Sequence, residues 1–173
     1  MPVSIRDKDH GFTRIKLDFK KLRGRGVKVG LMGNEQVEGT SVVDYATYNE
    51  FGTSRIPARP FMQRTADEGK EEITRFTEHL VGQMIDGKID DTTVLKNLGE
   101  KYTSMVKKTI RDAKNWAVPN DPATIKAKGS SSPLIDTGRM IGAVSYEILG
   151  ESANVAPIGG SGTALVANIV KSI

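Results

Sequence analysis

The run PFMQRTADEGKEEITRFTEHLVGQMIDGKIDDTTVLKNLGEKYTSMVKKTIRDAK, residues 60–114, decides the fold class. Phe61, Thr65, Ile73, Phe76, Leu80 and Met84 recur at three- and four-residue intervals, which places them on one stripe of an α-helix. Pro60 suits the first turn, where a missing N–H has no partner to lose, and Asp86-Gly87 closes the segment after about seven turns. Asp90, Asp91 and Thr92 offer caps for a second long helix, striped by Leu95, Leu98, Tyr102, Met105, Thr109 and Ala113. The expected unit is an antiparallel helical hairpin.

Outward from the hairpin the period changes. FTRIKLDF, residues 12–19, alternates Ile15, Leu17 and Phe19 with Arg14, Lys16 and Asp18, which predicts a strand with one wet face. Val27–Met32 repeats the alternation, so the two runs are expected to pair as a hairpin with the basic Arg23-Gly24-Arg25-Gly26 turn at its tip. Ser41 is placed to cap a short helix over Val42–Phe51, with Asp44 at the capping-box position and Gly52 as its stop. Residues 115–132, rich in Pro, Asn, Asp, Ser and Gly, read as a long loop. Leu134–Met140 reads as a short helical or turn element, Ala143–Leu149 as a third strand and Thr163–Val170 as a fourth, with a flexible Gly-rich loop over 150–163. The expectation is a single α+β domain over 1–173. In it, a small antiparallel sheet of about four strands packs against two long helices and one short helix, with extended loops.

Composition removes whole classes of function. The chain has 173 residues, 38% apolar and 27% charged, and no apolar run approaches the ~18 residues of a bilayer span, so no membrane partner is expected. MPVSIRDKDHGF has no apolar core of the signal-peptide kind, which predicts neither a secretory nor a transit signal. Zero cysteines exclude disulfides, thiolate nucleophiles and cysteine-ligated zinc. His10 and His79 lack ligand spacing and read as surface residues; no metal or cofactor is expected. Glu68, Glu71, Glu72 and Glu78 fall on a solvent face that cannot supply the burial acid–base work requires. Gly159-Gly160-Ser161-Gly162-Thr163 lacks the lysine and following helix of a phosphate cradle, and no nucleophile elbow occurs. No catalytic residue is therefore assigned and the chain is read as a non-enzyme, although a site assembled from distant residues would leave no local motif.

The formal charge of +4 is unevenly spread. Residues 1–28 carry nine basic and three acidic side chains, 67–91 three and eight, and 92–128 eight and three. Opposed blocks can steer neighbouring copies together, or they can be plain solvated helix faces.

Two segments combine loop composition with residues that loops do not need. The first runs from Tyr45 through Phe51-Gly52-Thr53 to Arg55-Ile56-Pro57-Ala58-Arg59-Pro60-Phe61, a pre-extended strap carrying two cations and suited to lying on a partner at small ordering cost. The second runs from Thr124 to Met140 and contains Pro133-Leu134-Ile135-Asp136-Thr137-Gly138, in which Leu134 and Ile135 anchor, Asp136 caps and Gly138 turns. In order and separation, with two long helices between them, these motifs resemble those of the tailed-bacteriophage neck proteins, the head–tail joining, tail-completion or virion-morphogenesis family. The resemblance covers residues 27–150.

That resemblance implies a structural virion protein of the neck, assembled in the host cytoplasm, with no catalysis. It implies a homo-oligomeric ring, with 6 or 12 copies expected, that joins the DNA-filled head at its portal or connector to the tail. The genomic DNA would pass through its channel, and the partners would be the adjacent head-connector and the tail-terminator or tail-tube proteins. Phe51, Arg55, Ile56, Pro57, Arg59 and Phe61 would form the subunit or ring interface, and Asp136, Thr137, Gly138 and Arg139 would set the turn into the third strand. Residues alone also support a small basic nucleic-acid-binding module. It would use the DNA-facing candidates Lys20, Lys21, Arg23 and Arg25 together with Lys107, Lys108, Arg111 and Lys114.

Overall fold

A computed structural model describes residues 11–32, 36–37, 39–150 and 164–167. The chain is α+β. In order it forms α1 (Phe12–Leu22), β1 (Gly26–Leu31), β2 (Gln36–Val37), β3 (Thr40–Ser41), α2 (Val42–Phe51), α3 (Phe61–Ile85), α4 (Asp91–Arg111), a 3-10 turn (Asp112–Asn115), α5 (Pro122–Lys128), α6 (Arg139–Ala143), β4 (Val144–Leu149) and β5 (Ala164–Ala167). β1 is the middle strand of a three-stranded antiparallel sheet ordered β4-β1-β5, and β2 and β3 form a separate two-stranded ribbon.

The helical hairpin forms as its pattern requires. Pro60 occupies the N-cap position of α3, whose C-terminus lies at Asp86-Gly87, and the Asp90 carboxylate caps α4 by accepting the Thr93 N–H at 2.8 Å. α4, however, buries a wider face than its expected stripe, with Val94, Val106 and Ile110 fully enclosed. The reason is that α4 has two neighbours, α3 on one side and the sheet on the other. Val27, Val29 and Leu31 of β1 lie opposite Ile148, Tyr146 and Val144 of β4 and share a face with them. The Tyr146 ring fits against Gly99 of α4 so closely that a Cβ there would sit 2.3 Å from the ring. The sheet's other face carries Lys28 across from Glu147.

FTRIKLDF is a helix. The alternation of Ile15, Leu17 and Phe19 is coincidental to a stronger period-3.6 set of Ile15, Asp18, Phe19 and Leu22, and Leu17 is left 51% exposed. Asp18 reaches a buried position by lying between Arg14 at 3.7 Å and Lys21 at 3.9 Å. Arg14 donates to the Met84 and Ile85 carbonyls at 3.2 and 2.6 Å, so it caps the C-terminus of α3, where a cation is favoured. The expected pairing of 12–19 with 27–32 is thus replaced by β1 pairing with strands from the C-terminal third. The basic turn becomes an α1–β1 connection, with Gly24 at φ 75°.

Three further expectations change. Among the described residues the sheet has three strands plus the small ribbon, not about four, and four helices, α1, α2, α5 and α6, accompany the long pair instead of one. The loop over 115–132 contains α5, capped by Asp121 accepting the Ala123 N–H at 2.8 Å and closed by Gly129 at φ 64°. The Gly-rich loop after Gly150 lies outside the described residues, as does His10. β5 falls inside the expected fourth strand.

Candidate functional site

α2 and the strap after it are locked together by polar groups. Ser41 caps α2 by accepting the Val43 N–H at 3.2 Å, and Gly52 ends it at φ 75°, in a place where a Cβ would stand 2.9 Å from the Ala58 nitrogen. The Thr53 hydroxyl accepts the Arg55 and Ile56 N–H groups at 3.2 and 3.0 Å, and the Thr53 N–H donates to the Ile56 carbonyl at 2.8 Å. The strap is therefore a fixed turn held by the Thr53 hydroxyl and its own backbone.

Arg59 and Phe61, expected at a subunit contact, lie inside the fold. Phe61 is fully enclosed in the core, and Arg59 is only 4% exposed. The Arg59 guanidinium donates to Asn49 Oδ1 at 3.0 Å, to the Val118 carbonyl at 2.8 Å, to Asn120 Oδ1 at 3.0 Å and to the Pro119 carbonyl at 3.4 Å. One side chain thereby joins α2, the strap and the segment after α4; burial lowers its pKa from the ordinary arginine value. Such a buried cation persists because four of its five N–H groups meet an oxygen.

Glu50, the residue after Asn49, is buried at the start of α3. Its two oxygens accept the Met62 and Gln63 N–H groups at 2.9 and 3.0 Å, a capping service that Pro60 has no side chain to perform. Burial pushes the Glu50 carboxyl above 4.5, against the lowering effect of these amides.

What remains outward on this corner is Phe51, 64% exposed, with Tyr48 one turn before it, and Arg55 and Pro57 on the strap; Ile56 is half-buried. The second motif packs against the other side of α2. Thr40, Val42 and Tyr45 face Leu134, Asp136, Thr137, Gly138, Arg139 and Met140 across a cleft of about 160 Å³. Leu134 and Met140 are buried, and Ile135 is half-buried, so the anchoring expected of this segment is present. Gly138, at φ 78°, is itself the N-cap residue of α6, and no side chain caps that helix; Asp136 stays exposed and does not fill the capping role. Asp136, Thr137 and Arg139 thus sit at the turn into α6, which leads directly into β4.

The basic candidates separate. Arg25 is paired with the buried Asp91 and Lys21 lies beside Asp18, whereas Lys20 and Arg23 are exposed, as is Lys16 on the same helix. Lys108 lines a groove of about 390 Å³ between α3 and α4, beside Arg64, whose guanidinium lies 5.0 Å above the Trp116 ring. Lys107 is half-buried; Arg111 and Lys114 are exposed. The opposed charge blocks partly neutralise each other within the chain, because Lys101 reaches across the hairpin to Glu72 and Arg25 reaches Asp91. Among the described residues no group of three His, Cys, Asp or Glu side chains could hold a metal ion, and no helix is long and apolar enough to cross a membrane. His79 is exposed, within 3.2 Å of the Gln83 amide.

Arg59 and Glu50 escape sequence reading because their partners are distant: Val118 lies 59 positions from Arg59, and Met62 lies 12 from Glu50. No family model, no curated protein and no solved structure matches this chain.

Proposed function

We propose that this chain is a structural subunit of a tailed-phage neck, forming a ring between the DNA-filled head and the tail, with the genome's path through its centre. The observation that carries the reading is the outward corner at Phe51 and Arg55. A rigid, internally hydrogen-bonded strap presents an aromatic ring and a cation to solvent beside the two motifs on which the resemblance rests. Pre-ordered segments lose little entropy on association, which suits a part that works only through contacts. The partners under this reading are further copies, the head connector and the tail terminator or tail tube.

The test is assembly in cells that lack this chain. Filled heads without tails, accompanied by free tails, are the expected products; particles with firmly attached tails would overturn the reading.

A second reading, a basic nucleic-acid-binding module, draws support from the solvent face of α1. Lys16, Lys20 and Arg23 are exposed there, while the acids around them, Asp18, Asp86, Asp90 and Asp91, are each engaged by Arg14 and Lys21, Lys88, Thr93 and Arg25. Anisotropy with a DNA duplex decides between them. Three phosphate contacts give a salt slope near about −2.7, so a DNA-binding module loses roughly 40-fold in affinity for a fourfold rise in salt. A passive sleeve shows no tight binding at either salt.

A further inference from the structure

We propose that Phe51 of one copy seats in the cleft between α2 and Leu134–Met140 of a second copy, with Arg55 of the first facing Asp136 of the second. The inference rests on the reading of this chain as a ring subunit and adds the two halves of the contact.

Size comes first. A cavity of about 150 Å³ accepts a benzene ring, and this cleft measures about 160 Å³. Val42, Leu134 and Met140, themselves buried, form its apolar floor beneath a rim of Thr40, Tyr45 and Thr137, and a methionine adapts its shape to an incoming ring at favourable sulfur–aromatic distances. Phe51 is the counterpart in shape, 64% exposed at the C-terminus of α2. It cannot serve its own cleft: Tyr45 faces that cleft, and Phe51 lies about 240° round the helix axis from Tyr45 and about 9 Å further along.

Charge fixes the orientation. Arg55 projects from the turn fixed by Thr53, and its guanidinium makes no hydrogen bond or ion pair among the described residues. Asp136 stands exposed at the cleft. Within its own chain it acts on Lys128, a partly buried amine from α5. Arg139 lines the same cleft, so the favourable approach is the one that sets Arg55 on the Asp136 side, where opposite charges meet at the rim. Knob and hole are different patches, so every copy carries one of each and the contact is head-to-tail. Such contacts propagate until rotation closes a ring.

The absence of native cysteine makes a clean test possible. In the full chain, Ser54→Cys and Thr137→Cys, exposed neighbours of the proposed pair that leave Arg55 and Asp136 in place, are combined and treated with a short bismaleimide. The double variant is expected to give a ladder of covalent oligomers, whereas either single variant stops at two linked chains. Phe51→Ala in the double-cysteine background is expected to cut the ladder about tenfold, the effect of losing roughly 1.4 kcal/mol of contact. Its melting temperature should stay unchanged, because the ring is exposed. No ladder, or a ladder indifferent to Phe51→Ala, overturns the proposal. The neck reading is tested separately by tail attachment in cells, so the two can fail independently.

Discussion

Glu50 on α2 accepts the backbone N–H of Met62 on α3 at 2.9 Å, so the longest helix of the protein is capped by a carboxylate from a different helix. Replacing Glu50 with Ala leaves the buried Met62 amide without an acceptor and takes the cap from the part-buried Gln63 amide; it is expected to cost about 2 kcal/mol, read by urea unfolding. The pH dependence has a definite sign. Because burial raises the folded-state pKa above 4.5, the group's contribution is fully present below the unfolded value and is lost as pH rises through the raised one. The stability of the native protein relative to Glu50→Gln should therefore be greater at about pH 4 than at about pH 7. A gap that widens with rising pH would contradict this.

Arg55 and Arg59 differ although the sequence sets them in one strap. Arg59→Ala strands Asn49, Asn120 and the Val118 carbonyl, and should destabilise by about 3 kcal/mol, a fall of roughly 6–12 °C in Tm. Arg59→Lys should recover little of it, since an ammonium cannot fork to four oxygens. Arg55→Ala should change stability by less than about 0.5 kcal/mol. Parallel thermal melts of the three variants check this.

Two helical glycines should respond with opposite signs. Gly82, on α3, has nothing within 4 Å of a built Cβ, so Gly82→Ala should stabilise by about 0.5–1 kcal/mol. Gly99 faces the Tyr146 ring, and Gly99→Ala should destabilise by about 1–3 kcal/mol because helix and strand must separate. Denaturant midpoints of the two variants supply the comparison.

Arg25 was a candidate for phosphate contact, but its partner is the buried Asp91. Arg25→Ala leaves that carboxylate unpaired and should cost about 3 kcal/mol. Lys20→Ala, on the exposed face of the neighbouring helix, should cost less than about 0.5 kcal/mol. Unfolding curves for the two, run side by side, distinguish a fold-holding cation from a surface one.

The long helices and α2 were legible because caps, stripe and stops lie within a few residues of each other. Ser41, Asp90 and Gly52 perform the roles their types predict. α1 hides in the sequence because three apolar residues happen to alternate, while the residue that reveals the helix, Asp18, is polar and reaches its buried place only through Arg14 and Lys21. α5 carried a readable local signature, Asp121-Pro122 at one end and Gly129 at the other, masked by the loop-like composition around it. Of the strap, Phe51 and Arg55 face solvent, which leaves their expected part in a contact between copies a proposal. The interior positions of Arg59 and Phe61 could not be read directly, because they depend on where the segment after α4 returns.

The middle position of β1 has a consequence for biosynthesis. Both of its neighbours, β4 and β5, are made long after it. At elongation rates of about 5–20 residues per second, this strand waits on the order of ten seconds at the ribosome with two open edges. The α3/α4 hairpin, complete within that interval, can offer Val27 and Val29 an apolar surface before their proper strand mates emerge. Nascent-chain length should therefore govern when this protein first resists proteolysis, with protection arriving only once the β4 segment has cleared the exit tunnel.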